Sequence, residues 1–558
     1  MRRRDFLGAA AGAVAFGSTP AKAFFSDTTA ATPPLPPGIL SGANSQLGHR
    51  LRSPKFPPPT QTKRVAVAIV GAGIGGLSAA WKLTRAGCND FMLLDLEHEP
   101  GGNSRSGQNE VSRYPLGAHY LPLPPVEASA TRELLAELGV LRGNIHAAHP
   151  SYDEKYLCHA PQERLFIDGF WQEGLWPAHG RASVERAQIS RFQQHISTLR
   201  ARRDASGRRA FALPLALSSA DASLRALDKM TFSDWLKQQD YSAAGLQWMC
   251  DYACRDDFGT SAAQTSAWAG LHYFSSRDSE GQVLTAPEGN AWLTQGLART
   301  AVAQTQTDAL VYHVEQNAKE IVCDVFLGKE NRSIRVIAKE LIWAAPLFLI
   351  PHVFQSPPAA WLAASKGIAY APWVVANLTL SEPLLRSTGS SLAWDNVLYD
   401  SPSLGYVVAT HQQLRYAPAP TVITWYRALH EESAFSHKST ASHQHQLAKS
   451  PSKLFQSREV WAEEILSDLS RPHPEIRELV TRLDVHRYGH AMIRPLPGWL
   501  WGGARAVFER GHIVGKSAIH FAHADISGMS LFEEANYRGV LAAQRVLKRL
   551  GVSFSRSL

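Results

Sequence analysis

The stretch from Val65 to Gly102 constrains the fold of this chain more than any other. It begins with six uncharged small or β-branched residues, Val65 to Val70, which predict a buried parallel strand. The glycine-rich turn Gly71 to Gly76 follows, and after it come apolar residues at helical spacing. A second apolar run, Phe91 to Leu94, ends in Asp95. This order predicts a strand, a tight turn, a helix and a second parallel strand.

The glycines of the turn and the acid after the second strand predict a dinucleotide site. Gly71 permits the tight turn, Gly73 lets the backbone approach a pyrophosphate, and Gly76 allows close packing of the helix on the strand. The helix N-terminus then presents free N–H groups to an anion. Asp95 stands about 20 residues further on, where a carboxylate accepts ribose hydroxyls. The site therefore comprises Gly71, Gly73, Gly75, Gly76 and Asp95, and an ordinary glycine-rich turn is the alternative.

The segment after Asp95 indicates which dinucleotide is bound. Gly101 and Gly102 lie six and seven residues beyond the acid, and they are followed by Asn103, Ser104 and Arg105. This spacing resembles the FAD-binding N-terminus of the flavin amine oxidase superfamily, which includes monoamine and polyamine oxidases, L-amino-acid oxidases, protoporphyrinogen oxidase and phytoene desaturase-like enzymes. The resemblance implies FAD as the cofactor. Members usually carry arginine at the position of Asn103, and Arg105 is the candidate replacement.

Three later segments resemble the same superfamily. Gly117 matches a glycine whose backbone passes close to the flavin ring. The predicted strand from Leu310 to Val314 implies an adenine contact by the backbone of Val311. Asp525, at the end of the last predicted strand, matches an acid that meets the ribityl or pyrophosphate region. The implied cofactor-binding residues are therefore Gly71, Gly73, Gly75, Gly76, Asp95, Gly101, Gly102, Gly117, Val311 and Asp525.

The resemblance also implies the architecture. The expected fold class is α/β, with a Rossmann-like FAD-binding domain and an interleaved α+β substrate-binding domain, and a length of 558 residues is too great for one simple core. Residues 24–62 are rich in proline, which predicts an extended, unpaired linker. The expected segments are a signal peptide at 1–23, the linker at 24–62, FAD-binding parts at 63–120, 285–346 and 484–558, and substrate-binding parts at 121–284 and 347–483.

The N-terminus resembles a twin-arginine export signal. Arg3 and Arg4 precede a weakly apolar run, and Ala21 to Ala23 offers small residues for cleavage. An ordinary secretory signal is the alternative, but a flavoprotein that folds around its cofactor before export needs a route for folded cargo. We therefore expect the twin-arginine export machinery as a partner and a periplasmic location. No other run approaches the ~18 apolar residues of a membrane span.

Composition argues against nucleic acid and metal as ligands. The formal charge of +8 is spread along the chain without a dense basic block. Cys250 and Cys254 lie one helical turn apart, a spacing that favours buried thiols over a disulfide. The segment His430 to Ser457 is rich in histidine but lacks a repeated ligand spacing, and it predicts an exposed insertion. We predict no metal site.

The catalytic machinery is the least readable part of the sequence, because a flavin oxidase mainly needs a dry cavity over its cofactor. His490, Arg494 and His119 are the candidates for polar groups near the substrate, with Arg494 suited to a carboxylate. A structural role is the alternative for each. Many amine oxidases carry a lysine near the flavin, but this chain has none between Lys366 and Lys438.

Three interpretations of function follow. The first is oxidation of a small amine or amino acid by hydride transfer to flavin N5, with O₂ or another electron acceptor. The second is a desaturase or dehydrogenase of a lipophilic substrate, which the missing lysine favours. The third is a flavin-binding protein without turnover. The sequence does not identify the substrate.

Overall fold

The computed structural model describes residues 34–177, 181–277, 281–413, 417–429 and 453–558. The twin-arginine signal, the first part of the proline-rich linker and most of the histidine-rich segment lie outside these ranges. The strands are β1 (Leu40–Gly42), β2 (Pro59–Val70), β3 (Phe91–Leu94), β4 (Ser106–Gln108), β5 (Arg113–Pro115), β6 (Leu121–Pro122), β7 (Leu141–Arg142), β8 (Ser151–Tyr152), β9 (Glu163–Ile167), β10 (Phe170–Glu173), β11 (Val283–Leu284), β12 (Thr305–Gln306), β13 (Ala309–Gln316), β14 (Ile321–Leu327), β15 (Arg332–Trp343), β16 (Tyr370–Leu380), β17 (Asp395–Leu398), β18 (Tyr406–Val408), β19 (Thr421–Ala428), β20 (Val480–Ile493), β21 (His512–Val514) and β22 (Ser517–Phe521).

The helices lie between these strands, and five of those described follow one another between β10 and β11. They are α1 (Ser45–Gly48), α2 (Ile74–Arg85), α3 (Ser129–Glu137), α4 (Ser183–Ala201), α5 (Ala222–Arg225), α6 (Phe232–Gln238), α7 (Ala244–Phe258), α8 (Ala267–Ser275), α9 (Ala291–Ala298), α10 (Ile350–Val353), α11 (Ala359–Lys366), α12 (Arg458–Leu469), α13 (Ile476–Leu479), α14 (Ala506–Glu509) and α15 (Phe532–Leu550). None of these helices combines the length and hydrophobicity that crossing a bilayer requires.

The first sheet forms the dinucleotide-binding domain. Its strand order is β12-β3-β2-β15-β14-β13, and β22 and β21 extend it beside β15. β2, β3, β12, β15 and β22 pair in parallel, whereas β13 and β14 form an antiparallel extension. Strands from the beginning, middle and end of the chain therefore share one sheet. The predicted α/β class and the Rossmann-like domain are confirmed.

The second sheet forms the substrate-binding domain. Its order is β1-β20-β16-β19-β18-β17-β9-β10, mostly antiparallel. Side chains alternate between its two faces, as the strand period requires. Val374 and Leu398 face one apolar cluster under α12, whereas Val375 and Val397 face another beside α7. The second face is the one that meets the dinucleotide-binding domain.

The structure moves two of the expected domain boundaries. β20 extends to Ile493 and belongs to the substrate sheet, so the last FAD-binding part begins after this strand and not at residue 484. Leu134 and Leu135 of α3 pack in the same core as Leu77 of α2, which assigns the start of the 121–284 segment to the dinucleotide side. The spacing of apolar residues along the sequence predicts a strand or a helix, but it does not predict which of the two domains that element joins.

The expectation of an unpaired linker over 24–62 is wrong for its described C-terminal part. β1 pairs in parallel with β20, and the Leu483 amide donates to the carbonyl oxygen of Pro37 at 2.9 Å. The Asn44 side chain caps α1 by accepting from the Leu47 amide. Proline content limits helix formation, but it does not prevent an edge segment from adding to a sheet.

Candidate active site

The glycine turn joins β2 to α2 where the carboxyl ends of the parallel strands meet. Gly71 has φ +98°, a conformation that residues with a Cβ rarely adopt. A Cβ at Gly75 would overlap the carbonyl oxygen of Ala522, and one at Gly76 would overlap that of Gly71. A Cβ at Gly73 would meet no protein atom within 4 Å. Gly71, Gly75 and Gly76 are therefore needed for packing, whereas Gly73 faces open space.

Asp95 and the second glycine pair lie against this turn. The Asp95 carboxylate accepts from the Ala72 amide and, at 2.7 Å, from the Glu97 amide, and burial raises its pKa to about 6. The Gly101 amide donates to the carbonyl oxygen of Ala72 at 2.8 Å. A Cβ at Gly102 would lie 3.2 Å from the Cα of Gly73. The structure brings these predicted cofactor residues together at one strand end.

These residues fit the ADP half of FAD. The open space at Gly73, the N-terminus of α2 and the backbone of Gly102 enclose a cradle suited to a pyrophosphate. Each oxygen of Asp95 keeps a second lone pair for a ribose hydroxyl. The Ala309 amide donates to the Asp95 carbonyl oxygen at 2.8 Å, which places Val311, two residues further on, near this acid. The adenine contact of Val311 stays a prediction.

Arg105, the candidate replacement for the usual arginine, is buried and paired within the protein. Its Nη1 lies 3.1 Å from Oε2 of Glu97, and its Nε donates to the Gly102 carbonyl oxygen at 3.2 Å. The second oxygen of Glu97 accepts from the Asn44 amide at 2.9 Å. Arg105 thus braces the glycine pair, while its charge is balanced by Glu97.

A cavity of about 150 Å³ begins at Gly117 and Asn103 and opens between the two domains. The Ala118 amide donates to the Asn103 carbonyl oxygen at 2.9 Å, and the Asn103 side chain donates to the Ala491 carbonyl oxygen at 2.6 Å. A Cβ at Gly117 would overlap the Asn103 carbonyl oxygen. Gly117 therefore lines the cavity and packs against the backbone of Asn103, and its place beside the flavin ring stays a prediction.

Aromatic side chains form one wall of this cavity. His119 stacks on Tyr426 with ring centroids 4.4 Å apart, and burial lowers the pKa of His119 to about 3. His119 is thus a neutral ring at physiological pH. β16 contributes Trp373 and Val375 to the wall, and no lysine is among the described residues that line the cavity. The prediction that His119 faces the site agrees with this placement, although its catalytic role stays a prediction.

Carboxylates also line this cavity, and the sequence analysis missed them. Asp256 and Asp257 at the end of α7 and Glu533 at the start of α15 line the cavity with a single guanidinium, that of Arg277. Tyr120 donates to Asp256 at 3.1 Å, and Arg277 donates to Glu533 at 3.3 Å. Burial raises the pKa of Asp256 to about 6 and that of Asp257 to about 7. Two adjacent aspartates at the end of a largely buried helix are the sequence signal that points to this wall.

Polar atoms without partners face the same cavity. Oδ2 of Asp257, Oδ1 of Asn290 and Nε1 of Trp373 are buried and form no hydrogen bond within the described part of the chain. Buried polar groups are nearly always satisfied in native proteins. The cavity therefore has the donors and acceptors of a binding site that a polar ligand completes.

His490 and Arg494 do not line this cavity. His490 stacks on Phe348 with ring centroids 4.2 Å apart, and burial lowers its pKa to about 4. Arg494 donates to Thr260 at 2.6 Å and to Gln264, and burial lowers its pKa to about 10. The guanidinium of Arg494 joins the end of β20 to the loop after α7, and its predicted role toward a substrate carboxylate stays a prediction.

Asp525 is buried at the junction of three segments. It accepts from the Leu347 amide at 2.9 Å and from the Tyr370 hydroxyl, and its other oxygen lies 3.0 Å from Nδ1 of His523. Burial alone raises the pKa of Asp525, but His523 and the hydrogen bonds outweigh it and lower the pKa. Asp525 connects the turn after β15 to β16, and its contact with the cofactor stays a prediction.

Comparison with known proteins agrees with this architecture. The solved structure of wild-type putrescine oxidase bound to putrescine aligns with a TM-score of 0.62 at 16% identity, covering 87% of this chain and 100% of that one. Cyclohexylamine oxidase from Brevibacterium oxydans IH-35A aligns with a TM-score of 0.59 at 14% identity, covering 87% and 99%. The chain has the amine oxidase fold. A fatty acid isomerase from P. acnes shares it, with a TM-score of 0.57 at 14% identity over 86% and 98%.

Sequence comparison supports a dinucleotide-binding role for the N-terminal segment that contains the glycine turn and Asp95. Residues 69–138 match the family model of the NAD(P)-binding Rossmann-like domain. The oxidoreductase PigB of Serratia sp. (strain ATCC 39006) is 32% identical over 125 residues, which are 22% of this chain and 18% of that protein. The chain thus spans less than a fifth of this curated relative. The amine oxidase fold is shared by oxidases and an isomerase, so the fold alone does not specify the reaction.

Proposed function

We propose that this chain is an FAD-dependent oxidoreductase that oxidises a small amine. The observation that carries the proposal is the position of the acidic cavity. Gly117 and Asn103, which follow the glycine pair in sequence, line this cavity together with Asp256, Asp257 and Glu533 and one guanidinium. A buried surface with excess carboxylates favours a cationic ligand. The two named oxidases that share the fold agree with an amine as substrate.

The residues of the chain would hold and orient the reactants. When bound, FAD supplies the acceptor for a hydride from the substrate carbon. The glycine turn and Asp95 would hold its ADP half, and Gly117 and Asn103 would adjoin its ring. Trp373 and Val375 exclude water from the cavity, which strengthens the electrostatic effect of the carboxylates on an amine.

An amine fits the cavity better than an amino acid or a fatty acid. A substrate carboxylate requires a guanidinium or a similar donor. The guanidinium of Arg277 already donates to Glu533, and Arg494 donates to Thr260 and Gln264 outside the cavity. A second carboxylate from the substrate would add to the existing negative charge. We therefore propose an amine without a neighbouring carboxylate.

Among its described lining residues, the cavity lacks the lysine that many amine oxidases carry near the flavin, so we consider electron acceptors other than O₂ as well. Trp373 and Val375 are the β16 side chains that face the cavity, so no lysine side chain on this strand could hold a water near the cofactor. A dehydrogenase that passes electrons to another acceptor is the second candidate. Release of hydrogen peroxide during turnover in air separates the oxidase from the dehydrogenase.

An absorbance spectrum followed by anaerobic titration tests the proposed function. The purified protein should show the visible absorbance of a bound oxidised flavin. Small amines should bleach this absorbance, whereas amino acids and long-chain fatty acids should not. A flavin that no amine reduces would contradict the proposal and favour a binding protein without turnover.

We propose further that the protein is exported with FAD already bound. The paired arginines Arg3 and Arg4 and the folded cofactor site support this route. Replacing both residues with lysine should retain the protein in the cytoplasm with its flavin bound. Cell fractionation with flavin fluorescence measures this, and unchanged export of the double variant would contradict the proposal.

A further inference from the structure

The N-terminal segment that contains α1 lies directly beside the glycine cradle. The Asn44 amide donates to Glu97 at 2.9 Å, and the Asn44 side chain donates to the Leu96 carbonyl oxygen at 3.4 Å. A Cβ at Gly48 would lie 3.4 Å from the side chain of Leu96. Leu96 and Glu97 directly follow the acid that is predicted to bind the ribose. His49, the residue after Gly48, is therefore held close to the predicted position of the ADP half of the cofactor.

The short 3₁₀ turn that follows α1 has two anchored residues and two exposed ones. The guanidinium of Arg50 lies 3.9 Å from the centroid of the Phe326 ring, and Leu51 is buried in the apolar core. His49 and Arg52, at the two ends of the turn, are exposed. Within the described ranges, neither of these two side chains forms an ion pair. The fold thus fixes the turn without using its outer cations.

The two exposed cations lie close to His490 of β20. Burial, His49 and Arg52 together lower the pKa of His490 to about 4, and the carboxylate of Asp525 acts in the opposite direction. Burial and Arg52 also lower the pKa of His49. The His490 ring is fixed by stacking on Phe348, with centroids 4.2 Å apart. Three side chains that can carry positive charge therefore meet between the N-terminal segment and β20, near a predicted cofactor residue.

The charged side chains on the cradle itself are acidic or already paired. Asp95 and Asp525 are carboxylates, Arg105 lies 3.1 Å from Glu97, and His523 lies 3.0 Å from Asp525. The N-terminus of α2 contributes only a partial positive charge. Both phosphates of a dinucleotide are ionised at neutral pH, so cations beside the cradle would offset their charge. An anion between the three basic side chains would also replace their mutual repulsion with attraction.

We infer that His49 and Arg52, together with His490 on β20, form a cationic subsite for the pyrophosphate of the bound dinucleotide. The inference rests on the FAD site of the proposed function and names further residues for it. Arg52 would donate charge-assisted hydrogen bonds to a phosphate oxygen, and His490 would donate an N–H. The subsite thus draws on residues before and after the segment 69–138 that matches the Rossmann-like family model.

Equilibrium binding to the apoprotein of the whole chain tests the subsite without relying on turnover. The probes are FAD and ADP, which share adenosine and both phosphates and differ in the flavin. Titration calorimetry at low ionic strength gives a dissociation constant for each. Arg52→Gln should weaken binding of both probes by about three- to tenfold, because an exposed charge pair is partly screened by water. His49→Gln should act in the same direction.

A charge series at Arg52 separates an electrostatic role from a structural one. Arg52→Lys should retain the affinity within about twofold, and Arg52→Glu should lose more than Arg52→Gln. Raising the salt concentration should reduce these differences. Lys55→Gln, which removes an exposed cation from the same segment, is the matched control and should change neither constant by more than about twofold. Thermal unfolding of each apoprotein confirms that the variants are equally folded.

The outcomes separate this inference from the proposed function. Equal affinities for FAD and ADP across the charge series would overturn the subsite, and so would a loss in Arg52→Lys as large as that in Arg52→Glu. Reduction of the flavin by amines together with equal affinities would leave the proposed function standing without the subsite. Affinities that follow the charge at residue 52, with a flavin that no amine reduces, would support the subsite and contradict amine oxidation.

Discussion

Gly73 and Gly75 stand two residues apart in one turn but have different roles. A Cβ at Gly75 would overlap the carbonyl oxygen of Ala522, whereas one at Gly73 would meet no protein atom. The backbone of Gly73 has φ −72°, which alanine readily adopts. Gly73 therefore leaves space beside the turn that a ligand could fill, whereas Gly75 is required for the packing of α2 against the strand end.

This difference predicts opposite outcomes for two alanine variants. Gly73→Ala should fold with unchanged stability and lose about tenfold or more in FAD affinity, because its methyl group enters the space of the pyrophosphate. Gly75→Ala should lose about 1–3 kcal/mol of unfolding free energy because of the overlap. Denaturant unfolding of the apoprotein and FAD titration measure the two effects. Equal FAD affinity of wild type and Gly73→Ala would contradict the assignment of the cradle.

The buried aspartates predict a pH dependence for amine binding. Burial raises the pKa of Asp256 to about 6 and that of Asp257 to about 7, and a cation binds the ionised forms more tightly. Affinity for 1,4-diaminobutane should therefore rise as the pH increases from about 5 to about 8. The charged or titratable groups that interact with this pair are Tyr120, Tyr252, Arg255, Tyr273, Arg277, Asp395, Tyr426 and Glu533. Titration calorimetry across this range measures the dependence, and a flat profile would count against the aspartates.

The same pKa values predict how stability changes with pH. In the unfolded chain Asp257 loses its proton near its ordinary value of 3.8, whereas in the folded protein it does so near 7. The folded state binds more protons between these values, so this residue makes the ligand-free protein less stable as the pH rises from about 4 to about 7. Asp257→Asn should reduce the slope. Thermal unfolding of both proteins at several pH values tests this.

At the scale of elements, the segment that contains β1 is the clearest case where sequence and structure disagree. Its composition predicts a tether, yet it adds a parallel strand to β20, and the amide of Asn44 donates to Glu97 beside the cofactor cradle. The pairing partner lies more than 440 residues away in sequence. Local composition carries no information about such a partner, because the pairing depends on where the chain returns. The predicted strands Val65 to Val70, Phe91 to Leu94 and Leu310 to Val314, by contrast, lie within β2, β3 and β13.

Gly38 offers a test of this element. A Cβ at Gly38 would overlap the carbonyl oxygen of Leu483, so Gly38→Ala should loosen the segment and increase its cleavage by protease severalfold. Because the segment reaches Glu97, FAD release should also become faster. Gly48→Ala is the control, since its Cβ would make only an ordinary contact at 3.4 Å with Leu96. The same cleavage and release rates in both variants would show that the segment does not support the cofactor site.

At the scale of the whole molecule, each of the two domains is built from several separate segments of the chain. Both sheets collect strands from distant segments, and Arg494 and Asp525 connect elements of the two domains by buried hydrogen bonds. Neither domain can be cut out as a continuous piece. The expected interleaving is thus observed, although its boundaries shift where β20 and α3 join the other layer.

Interleaving predicts that the cofactor stabilises both domains together. FAD at about 100 times its dissociation constant should add about 2.7 kcal/mol to the free energy of unfolding. Removing FAD should therefore lower the midpoint of thermal unfolding by a few degrees while keeping a single transition. Scanning calorimetry of the holoprotein and apoprotein measures this. Two separate transitions, with only one sensitive to FAD, would contradict a shared folding unit.

The sequence by itself determined the dinucleotide cradle, because the chemistry of Gly71 to Asp95 is local: a turn, a helix start and a strand end lie within 25 residues. Only the tertiary structure decided the acidic cavity wall. Asp256, Asn290 and Glu533 lie far apart in sequence, and their side chains meet because α7, α9 and α15 pack around the same space. The structure also places Arg494 outside the residues that line this cavity, because its hydrogen-bond partners depend on which elements pack beside the end of β20. Local motifs therefore determine the dinucleotide-binding turn, and long-range packing determines which side chains line the cavity.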